Sequence, residues 1–173
     1  GHLGYSADQS ASTPGLTNGY LGFGLDAYGN FTNSAYAGSD CSETQPAAPD
    51  SVVVRGPGNG TAGYCLLQSQ SLGDRTLRSA DPQSVPVEVV INPTSRTVTT
   101  SSGITVDPGT YAFEVNPIGG DPVTETGSLP NDTYLPAGWG TNGVPDQLTF
   151  GWAASTGAQT DYHTISDVNV ETL

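Results

Sequence analysis

The chain has 173 residues, only 35% hydrophobic and 12% charged, with 23 Gly and 13 Pro taking up much of the difference. It has no Lys, and Arg55, Arg75, Arg78 and Arg96 face 17 Asp and Glu, for a net charge of −13. This excludes nucleic acid and anionic membranes, which need cationic patches. No apolar run reaches the ~18 residues of a membrane span, which excludes insertion.

The length suits one domain with a buried core, and no internal repeat divides it. No secretory leader is legible, because the first residues already belong to a folded pattern. Eight Tyr, four Phe, two Trp and several Val-rich runs argue against disorder. Strand patterns follow in order at Gly19–Leu25, Ser51–Arg55, Gly63–Gln68, Val85–Asn92 and Arg96–Thr100. Others are Thr110–Val115, Asp146–Ala154 and Thr164–Thr172, with NG, DP, PG, GG and NP turn pairs between them. No long window has a helical period free of Gly and Pro, so the expected fold is an antiparallel all-β sandwich or barrel. Arg96–Thr100 follows the Asn92–Pro93 turn and is expected to pair with Val85–Asn92. Ser34–Pro49 and Asn116–Val144 read as loops, the second anchored by Trp139.

Cys41 and Cys65 are the only cysteines, without the CxxC or Cys/His spacing of a zinc site. The simple reading is one disulfide in an oxidising compartment, contributing roughly 3 kcal/mol by chain entropy. Two unrelated buried thiols are the alternative. The Lys-free, Asp-rich composition fits an exported or salt-adapted protein.

Three segments carry a family resemblance: GHLGYS at Gly1–Ser6, GYLGFGLDAYGN at Gly19–Asn30, and LTFGWAASTGAQTDYHTISDVNV at Leu148–Val170. In order and spacing they resemble the L-type (legume-type) lectins, most closely bacterial cell-surface lectin-like modules. PDSVVVRGPGNG at Pro49–Gly60 agrees with a bacterial version. The resemblance runs along the whole chain, residues 1–173, and implies a single concanavalin-like antiparallel β-sandwich, or jelly roll. In the family the first of these segments lies well inside the domain. The sandwich is therefore expected to be incomplete at its N-terminus, and a preceding segment or another chain would complete it.

Lectins of this family hold sugar with a carboxylate, an Asn amide and backbone groups on a calcium-fixed loop. A hard cation takes about six to eight oxygen ligands. By resemblance, the Asp26 carboxylate, the Tyr28 carbonyl and the Asn30 amide oxygen would face calcium. Asp40 would supply a further carboxylate, with Asp50 behind it. The family's transition-metal Glu position holds Gly24, and no His occurs near Asp50–Ser51, so no transition metal is expected. The alternative is that Asp26 and Asn30 cap a turn through Asx hydrogen bonds with no metal.

The implied sugar contacts are the Gly1 backbone amide, the Asn30 amide, and the loop residues Ala158, Gln159 and Thr160, followed by Asp161. Tyr162 and His163 are expected to pack on the final strand, with reach to the sugar site as the alternative. Trp152 alternates with Phe150 along a strand, one of the two facing the core, and Trp139 is the stacking candidate. Glycosidases on this fold need two carboxylates, whereas Glu88 and Glu114 read as lone outward residues. Neither His2 nor His163 adjoins a nucleophile elbow. GPGNG at Gly56–Gly60 leads to no helix and reads as a turn. Asn30, Asn59 and Asn131 begin glycosylation sequons that an Asn- and Thr-rich chain produces by chance.

The sequence therefore points to a non-enzymatic carbohydrate-binding module of a secreted or surface protein, an adhesin for example, binding a glycan or glycoprotein. The alternatives are a structural sandwich of a surface assembly without sugar binding, and a glycoside hydrolase.

Overall fold

The computed structural model describes residues 2–8, 12–81, 83–131, 134, 147–156 and 161–172. The expected run Ser51–Arg55 is a strand over those residues, and all five are buried, as befits a central strand covered on both faces. It is β2, pairing antiparallel with β1 (Gly22–Asp26) on one side and β5 (Leu66–Ser71) on the other. Two short strands, β3 (Gly58–Asn59) and β4 (Ala62–Gly63), form a hairpin between β2 and β5. In the second sheet β9 (Thr110–Val115) lies between β6 (Val87–Asn92) and β10 (Val123–Ser128), again antiparallel.

Strand alternation then fixes the core. Val52 and Val54 from β2 meet Tyr111, Phe113 and Val115 from β9, joined by Leu72, Val123 and Leu129. Phe23 of β1 enters the same core, its ring centroid 5.7 Å from Tyr111 and 5.2 Å from Phe113. The protein is an all-β antiparallel sandwich, and no α-helix occurs among the described residues. Among the described residues no helix is long and apolar enough to cross a membrane.

Several expectations change. Arg96–Thr100 does not pair with Val85–Asn92; only Val98–Thr99 is a strand (β7), and it pairs with β8 (Thr105–Val106). The cause is Asn92, whose buried Nδ2 donates to the carbonyls of Arg96, Val106 and Asp107 at 2.7, 3.0 and 3.1 Å. This folds the chain back under β6, whose ladder is taken by β9. The β7–β8 hairpin then covers Val90 and Ala112 on the outer face of the second sheet with Val98, Ile104 and Val106.

Asn116–Val144 contains β10, because Val123 and Glu125 alternate inward within a run punctuated by Pro and Gly. Residues 147–154 and 164–172, expected as strands, belong to no strand and pair with no described strand. Asp146 and Trp139 lie outside the described residues. Phe150 and Trp152, two residues apart, share one face; both are exposed, at 61% and 60%, and contact edge to face at 5.7 Å. Within Ser34–Pro49, Ser34–Tyr36 makes a short 3-10 turn capped by Asn33.

Glu125 is buried on the core side of β10, and desolvation raises its pKa. The folded state therefore holds this proton more tightly than the unfolded chain. Stability from this group is present at acid pH and falls as pH rises through the raised value. Glu125→Gln is expected to be more stable than the native protein at pH 7, with the difference shrinking towards pH 4. Urea unfolding at both pH values reads it.

Candidate functional site

The face of the first sheet that points away from the core begins with glycine. Gly22 and Gly24 lie opposite Arg55 and Val53 across the β1–β2 ladder, and Asp26 lies opposite Ser51. A Cβ at Gly22 would collide with the Tyr5 ring, and one at Gly24 with the Phe31 ring. The two glycines thus let aromatic rings lie directly on the strand, where any side chain would hold them off. Tyr5 contacts Phe31 at 6.5 Å and Tyr64 at 5.5 Å, both edge to face, building an aromatic layer over β1 and β2.

Arg55 is sealed beneath this layer at 0% exposure. Its Nε donates to the Phe31 carbonyl at 2.8 Å, Nη1 to Tyr64 at 2.7 Å and Nη2 to Asn33 at 2.9 Å. The guanidinium carbon stands 5.1 Å from the Phe31 ring centroid. Burial draws the Arg55 pKa down to about 10, against the attraction of Asp26, Glu43 and Tyr5, so the group stays charged at neutral pH.

Asp26, 3% exposed, ends β1 and organises the loop after it. Oδ1 accepts from the Gly29 amide at 2.8 Å, while Oδ2 accepts from the Thr32 amide at 2.8 Å and the Thr32 hydroxyl at 2.9 Å. The Thr32 hydroxyl also lies 2.8 Å from the Gly29 carbonyl. Above this buried base the loop presents Tyr28, 51% exposed, and half-buried Asn30. The Asn30 carbonyl accepts from the Asn33 amide, and its side-chain amide has no hydrogen-bond partner among the described residues.

Of the other expected residues, Asp50 adjoins this loop, its amide donating to the Ala27 carbonyl at 3.4 Å, whereas Asp40 and Asp161 have their partners elsewhere. Asp40 is exposed and accepts from the Tyr134 hydroxyl at 3.2 Å. Asp50 accepts from the Thr76 hydroxyl and the Leu77 amide at 3.0 and 3.2 Å. Asp161 pairs with Arg78 at 2.7 Å, its carboxyl held low by the Tyr162 amide and by that arginine. Tyr162 is 97% exposed rather than packed on a final strand, and His163 is exposed as well. Gly1, Ala158, Gln159 and Thr160 lie outside the described residues.

Calcium can be tested against these donors. A carboxylate offers roughly four acceptor positions, and three on Asp26 are filled from within the loop. Asp26 and Asp40, expected to face one cation, serve separate partners. Among the described residues the one group of three Cys, Asp or Glu donors within 4.8 Å of one another is Cys41, Glu43 and Cys65. Two of these are the sulfurs of the Cys41–Cys65 disulfide, which settles the cysteine pairing and fits an oxidising environment. The Asp26 and Asp40 carboxylates are thus engaged with separate partners within the chain.

Two features were not legible in the sequence. Glu88 and Glu114 are not lone residues but direct partners across the β6–β9 ladder, and the Thr124 hydroxyl donates to Glu114 at 2.9 Å. Thr32, Phe31 and Arg55 form the base of the loop. The available signal was Arg55 itself, one of only four cations, closing an apolar strand. Comparison with protein-family models, curated proteins and solved structures finds no match to this chain.

Proposed function

We propose that this chain is a carbohydrate-binding, lectin-like module on a concanavalin-like sandwich, carried by a secreted or surface protein such as an adhesin. The observation that carries the reading is the loop after β1. A buried, hydrogen-bonded base carries an exposed aromatic residue, Tyr28, and, two positions on, the uncommitted side-chain amide of Asn30. A pyranose offers that combination its complement, an apolar C–H face and vicinal hydroxyls at fixed angles. The net charge of −13 directs the choice of ligand towards neutral glycans. Leu148, Phe150 and Trp152, exposed along a run that pairs with no described strand, fit a face that further strands of a larger assembly would cover.

A neutral-glycan array followed by calorimetric titration tests this reading. Tyr28→Ala and Asn30→Ala are each expected to weaken binding about 10-fold or more without lowering the melting temperature, since each removes roughly 1–3 kcal/mol of contact. A folded protein that binds no glycan overturns the proposal in favour of a structural sandwich. The facing Glu88 and Glu114 favour a second reading, glycoside hydrolysis, which needs paired carboxylates. Release of reducing ends, lost in Glu114→Gln, would identify it.

A further inference from the structure

We infer that Arg55 is a built-in cation for the loop 26–33, so that the loop keeps its shape without divalent ions. Three backbone carbonyls, from Phe31, Asn33 and Tyr64, converge on the guanidinium with 2.7–2.9 Å contacts. Convergent carbonyl oxygens with carboxylates nearby are the surroundings a hard cation requires. Here the positive charge is covalently attached, and Asp26 and Glu43 supply the negative field around it. One oxygen of Glu43, Oε2, is buried without a hydrogen-bond partner, so its compensation is electrostatic.

The ground on the other side of the loop is also taken. Gly24 leaves its space to the Phe31 ring, which carries the guanidinium on its face. The Asp26 carboxylate is turned inward onto Gly29 and Thr32. The loop is thus closed by ring, guanidinium and hydroxyl groups belonging to the chain. This inference concerns how the loop is held and does not depend on what the loop binds.

The test is thermal unfolding of the full chain in excess chelator and in millimolar calcium, alongside calorimetric calcium titration. A cation held at 100 times its dissociation constant would raise the melting temperature by about 5–10 °C. The native protein is expected to shift by less than ~1 °C and to show no saturable heat. Arg55→Gln removes the charge and leaves the carbonyls in place, and its melting temperature is expected to rise with calcium. If that variant unfolds in chelator, recovery of its near-ultraviolet dichroism on adding calcium is the equivalent readout. Arg55→Lys, which keeps the charge on fewer donors, is expected to be less stable than the native protein and indifferent to calcium. Saturable, stabilising calcium binding by the native protein that Asp26→Asn abolishes overturns the inference. So does an Arg55→Gln variant that calcium neither stabilises nor refolds.

Discussion

Replacing Arg55 by Met is expected to destabilise the protein by about 3–5 kcal/mol in urea unfolding. Methionine fills much of the volume, so the loss is polar rather than steric. The carbonyls of Phe31, Asn33 and Tyr64 each lose a donor, and an unsatisfied buried group costs roughly 1–3 kcal/mol. Glu43 is left with a buried oxygen and no nearby positive charge to offset it. Glu43→Gln made in the Arg55→Met background should therefore recover part of the loss, although in the native background it removes a favourable interaction. A double-mutant cycle measures this coupling. Purely additive effects would mean that the two side chains do not share an electrostatic environment.

Phe113→Ala is expected to cost a similar amount, about 3–5 kcal/mol, through lost transfer energy and the cavity left behind. Phe113 is fully buried on the central strand of the second sheet and touches Phe23 from the first, so it joins the two layers directly. Val87→Thr, a β-branched exchange at an exposed position of β6, should stay within about 0.5 kcal/mol. Equal effects from the two substitutions would contradict an inter-sheet core at Phe113.

The continuous Val run of Ser51–Arg55 and the apolar alternation of Thr110–Val115 were sufficient to locate β2 and β9 to the residue, because both are central strands with strong β-branched and aromatic content. Elements with weak side-chain signals were less legible. β10, VTETGS, has one large apolar residue and is a strand because β9 offers it an edge. The reverse holds for Leu148–Trp152, where the alternation is clear but no described strand pairs with it. In the site, Asp26 was legible as a turn-organising carboxylate through the Asx alternative, and Gly29 and Thr32 are its partners. The further carboxylate was not, because Asp40 and Asp50 find partners distant in sequence at Tyr134, Thr76 and Leu77.

What the sequence determined by itself was the fold class and the acidic charge balance: periodicity and charge are local or additive properties. What only the tertiary structure decided was which polar groups meet. Arg55 and Phe31 are 24 positions apart, and Glu88 and Glu114 lie on strands whose pairing the Asn92 side chain redirects. A buried charge takes its role from the carbonyls and carboxylates folded around it. Those neighbours are set by strand register and loop closure, which residue spacing along the chain does not encode.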